Sequence, residues 1–389
     1  MSKKRLEELT KESKDFLNYK ESQLSIIDNT NKLFFIDLFN TNESAWNNYY
    51  WQISNTINSD EIIKSICNFE SKNQKQVWGV TPHFLSLSKD FNYTDPIFAQ
   101  VIPSELENNT DWGEPDPMNE ANTKYGRITR RYPDRLIINV TNKCFSYCRY
   151  CQRKRNFSDK TCIISKQELD LALHYIKEHK EIRDVLITGG DPLTLNDSYL
   201  INIIHKLKSI KHIEIIRIGT RVLSFLPQRI TASLVKELKQ YSPIYINSQF
   251  NHPYEISKET EKACELLSNN GIILGNQSVL LKGINDNTFT IQLLNQLLVK
   301  NRIRPYYIFH PKYIVGTHHF YVSLSRGIDI IDSLRGYTSG LCIPTYIINS
   351  PKGYGKVNIS KNNIEVNNNN VTLTTWEKRK IIINNDYEL

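Results

Sequence analysis

Apolar positions fall into two rhythms along this chain. From about residue 135 onward, short β-rich runs alternate with amphipathic stretches. The runs are LIINV (136–140), DVLIT (184–188), IEIIRI (213–218), IYINSQF (244–250), IILGNQSVLL (272–281) and IRPYYIF (303–309). Between them, segments such as KQELDLALHYIKEHK and SKETEKACELLSNN place apolar residues at i, i+3, i+4 and i+7, the spacing of one helix face. Six β/α units in a row predict an α/β fold, a parallel sheet curled into a barrel or partial barrel, with a flat doubly wound sheet as the alternative. Functional residues of a barrel belong at the C-terminal ends of its strands.

Residues 1–128 follow the other rhythm. They are polar and Asn-rich, carry aromatics at Trp46, Tyr49, Tyr50, Trp51 and Trp78, and contain stretches such as SDEIIKSICNF that read as short amphipathic helices. A helical N-terminal region is expected here. The acidic, Pro/Gly-containing segment 107–124 reads as a linker or long loop. The expected division is 1–128 helical, 129–357 barrel, and 358–389 a tail whose Asn runs form a solvated loop between two short strands.

Composition narrows the function classes. The chain has 389 residues, 49 Lys+Arg against 41 Asp+Glu, and a net charge of +8. That charge is spread along the chain, with no dense basic run interleaved with aromatics, so anionic small molecules are expected as partners rather than nucleic acid. Hydrophobic content of 40% and charged content of 23% exclude a largely disordered or fibrous chain. No apolar run approaches the ~20 residues of a membrane-spanning helix. The opening MSKKRLEELTKESKDF has no apolar stretch behind its basic start, so neither a membrane nor a secretory destination is expected.

Seven cysteines lie at 67, 144, 148, 151, 162, 264 and 342. An odd count without a secretion signal argues against a disulfide framework. Cys67, Cys162, Cys264 and Cys342 read as buried small hydrophobes. Cys144, Cys148 and Cys151 follow the first strand within eight residues. Three thiolates would leave a zinc site one ligand short, whereas on a four-iron cluster they leave one iron open.

This CxxxCxxC after the first strand of a β/α array resembles the radical S-adenosylmethionine (SAM) superfamily, and Gly189-Gly190-Asp191 after the second strand resembles its SAM-binding glycine motif. The resemblance narrows to the lysine 2,3-aminomutase family over about 46–357. It is carried by WQISNTI (51–57), RRYPDR (130–135), CRYCQRKR (148–155), IRIGTRVLSFLPQRIT (216–231), FNHPYEI (250–256), LGNQSVLLKGIND (274–286), RPYYI (304–308), LRGYTSG (334–340) and PKGYGK (351–356). The resemblance implies a partial (β/α)6 radical SAM barrel, a [4Fe-4S] cluster on Cys144, Cys148 and Cys151, and SAM near Gly189, Gly190, Asp191, Gln277 and Gln249. It also implies pyridoxal 5'-phosphate (PLP) as a Schiff base on Lys356, with Arg131 and Arg135 on its phosphate, two guanidinium forks suiting a dianion. Arg153 matches the arginine that grips the substrate α-carboxylate.

Three departures from the family pattern bear on substrate and metal. Lysine-using members hold the substrate ammonium with two aspartates, and those places here are Lys312 and Asn349. A buried ammonium facing the substrate's ammonium would be repulsive, whereas Lys312 and Asn349 suit an anionic side chain. The resemblance is then to the glutamate-using members, which move the α-amino group of L-glutamate to C3 and give β-glutamate; aspartate is the weaker candidate and glutamine a further one. Members with a structural zinc carry a Cys where this chain has Asn287, and no Cys follows 342, so no zinc is expected. The family His before FNHP is Gln249. The rival readings are a lysine 2,3-aminomutase, a radical SAM enzyme that modifies a macromolecule, and a cluster-bearing scaffold without activity. An electron donor for the cluster, a homo-oligomer and a cytoplasmic location complete the expectation, the last because such a cluster is oxygen-sensitive.

Overall fold

A computed structural model of the chain describes residues 3–67, 77–121, 127–157, 160–361, 363–367, 370–375 and 377–384. Nine strands form one sheet in chain order: β1 (Ile128–Tyr132), β2 (Arg135–Thr141), β3 (Asp184–Gly189), β4 (Ile215–Gly219), β5 (Ile244–Ser248), β6 (Ile273–Val279), β7 (Ile303–Phe309), β8 (Thr345–Asn349) and β9 (Lys356–Asn358). From β2 to β8 the strands run parallel; β1 and β9 lie antiparallel at the two edges. The six expected runs are β2 to β7. The parallel array has a seventh member, β8, whose TYIIN follows a turn-rich stretch and so broke the expected rhythm.

The crossover helices are Lys166–Glu178, Asp197–Lys208, Ala232–Lys239, Lys258–Asn269, Thr288–Lys300 and Leu324–Asp332. Each begins after a Ser, Thr or Asn whose side chain accepts from a backbone N–H of the first turn: Ser165, Asn196, Thr231, Ser257, Asn287 and Ser323. Such caps satisfy donors that a helix start otherwise leaves open. Asn287 is one of these caps, its Oδ1 accepting from the N–H of Phe289 at 2.9 Å.

Strand side chains alternate between two environments. Leu136, Ile138, Val185, Ile187, Ile216, Ile218, Ile244 and Ile246 are buried under the helices. The alternate set, Arg135, Asn139, Thr188, Arg217, Asn247 and Gln277, is half-buried and faces the concave side. The sheet curls until its edges meet. Lys356 N–H on β9 donates to the Tyr132 hydroxyl on β1 at 3.0 Å, and Arg131 Nη1 reaches the Lys352 carbonyl at 3.5 Å. Side chains join this seam; no backbone ladder does.

The N-terminal region is helical, as expected. Its first helix, Lys3–Asp28, lies on Thr288–Lys300 through Tyr19 Oη–Thr290 Oγ1 at 2.9 Å and a Phe16–Phe289 ring contact. A second core around Trp46, Phe84 and Phe98 reaches the barrel at Phe225, edge-on to Phe84 at 4.6 Å. Of the two readings of the acidic segment 107–124, the long loop holds over 109–121 and the linker does not. Glu107 is fully buried, and residues 111–121 form a strap tied to the barrel mouth; 122–126 lie outside the described residues. The tail forms three antiparallel strands, β10 (Ile364–Asn367), β11 (Asn370–Thr374) and β12 (Lys380–Asn384), one more than expected. Among the described residues no helix is long and apolar enough to cross a membrane.

Candidate active site

The cysteine loop leaves the C-terminal end of β2. It is bolted to the N-terminal region by Tyr147 N–H to Gly79 O at 3.0 Å and Arg149 N–H to Gln100 O at 2.8 Å. Arg149, without exposed surface, grips both oxygens of buried Glu107 at 2.9 and 2.7 Å, and Lys154 Nζ adds a third contact at 2.5 Å. Arg221 Nη1 donates to Cys148 Sγ at 2.9 Å, and Arg153 N–H to Cys151 Sγ at 3.3 Å. The Arg153 N–H favours the thiolate of Cys151. Burial raises the thiol pKa values, of Cys144 well above the ordinary range and of Cys151 to about 11. A bound metal would hold these thiols as thiolates. Among the described residues no three such ligands converge on one ion. Cys264 and Cys342 are buried as expected, but Cys162 is exposed, beside the guanidinium of Arg127. Its neighbours Thr161 and Lys160 belong to a polar surface turn rather than a core element.

Gly189 and Gly190 end β3 against this loop. Gly190 N–H donates to Thr141 O at 2.5 Å and Asp191 N–H to Lys143 O at 2.8 Å. A Cβ on Gly190 would overlap the Lys143 carbonyl, so only glycine permits the approach. Asp191 is buried; it accepts from Thr220 Oγ1 at 2.7 Å and from the N–H groups of Arg221 (2.8 Å) and Leu193 (3.0 Å), which ties β3 to β4. Gln249 donates to the Tyr150 hydroxyl at 3.2 Å, in a buried network that also takes in Arg221, Gln100, Asn251 and Glu255. Gln277 lies half-buried on the concave face, in register with Tyr307 of β7.

Lys356 opens β9 in register with Asn349 of β8, so the two side chains share a face. By surface area Lys356 is exposed, yet its amine lies 5.4 Å over the Tyr132 ring. Desolvation by the surrounding protein, then Arg135 and Arg217, lowers its pKa to about 8. Arg135 covers the same ring at 4.0 Å and pairs with Asp134 at 3.1 Å. Arg131 does not join that group. It donates to the carbonyls of Met118 and Asn119 and crosses Gly353 so closely that a Cβ there would strike it. The second guanidinium beside Lys356 is Arg217 of β4, held by Asp184 at 2.8 Å. Buried Asn139 Oδ1, Asn247 Nδ2 and Asn349 Nδ2 have no partner. A partially charged, reduced-pKa amine beside two guanidinium groups and unpaired amides fits an anionic aldehyde such as PLP.

Arg153 is met by a carboxylate of the protein itself. Its Nε and Nη2 take Glu120 at 2.8 and 3.2 Å, and Nη1 donates to Gly189 O at 3.2 Å. Lys312, just past β7, donates to Gln152 Oε1. Burial is the main reason its pKa falls to about 8, with Glu120 opposing the fall and Arg153 and Lys356 adding to it. The structure thus gathers Arg153, Lys312, Asn349 and Lys356 at one mouth. The sequence reading missed Glu120, Tyr132, Tyr150, Arg217 and Arg221. Tyr150 between two cluster cysteines and Arg221 just past a strand end were visible signals, whereas nothing local marked Glu120.

Family comparisons agree in two places: a Radical SAM superfamily model matches residues 138–291 and a Lysine-2,3-aminomutase model matches 331–384. The Glutamate 2,3-aminomutase of Clostridioides difficile is 46% identical over 363 residues, covering 91% of this chain and 86% of that one. The L-lysine 2,3-aminomutase of Methanococcus maripaludis is 41% identical over 87% of this chain and 79% of its own, and that of Acetoanaerobium sticklandii 40% over 86% and 84%.

Proposed function

The chain belongs to the lysine 2,3-aminomutase family of radical SAM enzymes, and from that premise we propose that it moves the α-amino group of L-glutamate to C3, giving β-glutamate, with PLP on Lys356. The observation that carries the substrate assignment is the pairing of Lys312 with Asn349. Asn349 Nδ2 is a buried donor without a partner, and such a group costs about 1–3 kcal/mol until something accepts from it. With the Lys312 ammonium it presents two donors to the far end of a bound amino acid. The carboxylate that acts on Lys312, Glu120, has both oxygens engaged by Arg153. An ammonium at the end of lysine would therefore meet a cation and an amide donor.

Cys144, Cys148 and Cys151 would hold the cluster, whose reduction lets SAM deliver a carbon radical. Lys356 would hold PLP, and on passing to the substrate nitrogen the cofactor would supply the unsaturation that a shift from C2 to C3 needs. The remaining work belongs to the chain. Arg153 orients the α-carboxylate, Lys312 and Asn349 the side-chain carboxylate, and Arg135 with Arg217 offers positive charge for the cofactor phosphate. Arg131 serves the rim loop that carries Lys356. The half-buried concave face keeps water from the reacting carbons. The higher identity to the relative named for glutamate supports the same reading.

The test is anaerobic reconstitution with SAM, PLP and a strong reductant, followed by a screen of amino acids for β-isomers by mass spectrometry after chiral derivatisation. β-Glutamate from glutamate, with none from lysine, is expected. β-Lysine would overturn the pocket assignment and leave the family intact.

A further inference from the structure

The feature that the reaction has not yet used is Glu120. Its side chain is 9% exposed, although it sits on an irregular strap rather than in a core. The strap is fixed from both sides of the mouth. On the cluster side, Arg155 pairs with Asp116 at 3.1 Å, and Asp116 Oδ2 accepts from Ala121 N–H at 2.8 Å. On the Lys356 side, Lys352 N–H donates to Pro117 O at 2.7 Å, and Arg131 donates to Met118 and Asn119. Glu114 joins the strap to the segment after β7 through its N–H to Tyr313 O at 3.1 Å. Glu120 is therefore delivered to Arg153 by a scaffold that also holds the Lys356 loop.

The guanidinium edges show what this contact does. A guanidinium has five N–H groups arranged as a side edge (Nε with Nη2), a terminal edge (Nη1 with Nη2) and one N–H facing back along the side chain. Glu120 takes the side edge with both oxygens. Gly189 O takes one N–H of Nη1. One N–H on Nη2, which belongs to the terminal edge, and one N–H on Nη1 are left for a second carboxylate. Glu120 thus does not stand where a substrate carboxylate would stand. It fixes the plane of the fork and keeps a buried cation paired before the substrate arrives.

We propose that Glu120 is a positioning residue that aims the terminal edge of Arg153 at the substrate α-carboxylate, and so contributes to selecting α-amino acids with a free carboxylate. This rests on the assignment of Arg153 to the α-carboxylate. The α-carboxylate takes no part in bond making or breaking, so its contact is made equally in ground and transition states, and loss of such a contact appears in KM rather than kcat.

The experiment compares wild type with Glu120→Gln and Glu120→Asp as cluster- and PLP-loaded holoenzymes. It records KM and kcat for L-glutamate and the inhibition constant of its α-amide. Glu120→Gln is expected to raise KM about 10–100-fold with kcat within about 3-fold, and to leave inhibition by the α-amide within about 3-fold. Glu120→Asp, which withdraws the carboxylate by one methylene, is expected to fall between, and it carries the test if Glu120→Gln does not load its cofactors. Unchanged KM overturns the proposal. So does a parallel loss for acid and amide, the mark of a merely structural role. Failure of the glutamate assignment shows itself separately, as wild-type turnover of another amino acid; the acid and α-amide of that amino acid then serve the same comparison.

Discussion

Replacing Lys312 by Gln removes one positive charge from the proposed pocket and keeps a hydrogen-bonding arm. With its pKa lowered to about 8, Lys312 is mostly charged at neutral pH. A hydrogen bond between a charged group and its partner contributes about 1.5–3 kcal/mol; taking about 2 at this half-buried mouth, K312Q should lose roughly 30-fold in kcat/KM for glutamate. For lysine the same change removes a like-charge repulsion of similar size. The glutamate-to-lysine selectivity should therefore shift by about 1,000-fold in total. The assay is kcat/KM for both amino acids on preparations matched for iron and PLP. A shift below about tenfold would refute the idea that Lys312 reads the side chain. The pH dependence adds a check with a definite sign. Glutamate affinity should fall as pH rises through about 8, where Lys312 gives up its proton, and K312Q should lose that part of the fall.

Three further outcomes follow from the geometry. The visible band of PLP added to apoprotein should develop faster as pH rises, with a midpoint near 8 rather than the 10.5 of a free lysine, because the neutral amine is the nucleophile; Lys356→Arg should give no such band. Glu107→Gln leaves the buried cations Arg149 and Lys154 without their carboxylate and should destabilise the holoprotein by about 3–5 kcal/mol in urea titrations; a loss below about 1 kcal/mol would mean that water or another acid already compensates them. Gly190→Ala must push the β3 loop off the Lys143 carbonyl, and should reconstitute with clearly less iron per chain than wild type, measured by iron and sulfide analysis; equal loading would show that the approach is not needed.

The barrel was legible because short β-rich runs alternate with stretches whose apolar residues recur at the spacing of one helix face. β1 and β8 escaped for different reasons. ITRRY carries three polar or charged residues in five, and TYIIN sits between two turn-rich motifs. The cysteine triple, the GGD turn and Lys356 could be read locally, since each motif is a short stretch of chain. Glu120, Arg217 and Tyr132 could not. Their meaning lies in what the curled sheet brings across to them: Arg153, Lys356, and Lys356 again with Arg135. The linker reading of segment 107–121 failed for the same reason, although its loop character was read correctly. Acidic residues next to Pro and Gly look solvated until distant arginines and lysines arrive to bury them.

The seam between β1 and β9 also orders the birth of the protein. A chain made from its N-terminus exposes β2 and the cysteine loop early, while β9 with Lys356 emerges only after the rest of the sheet. Until β9 docks on β8 and reaches Tyr132, the ring stands open along one side. The cysteine loop thus belongs to a wall that exists before the ring is closed, and the corner shared by Lys356 and Tyr132 forms only when the last strand of the sheet fastens the first.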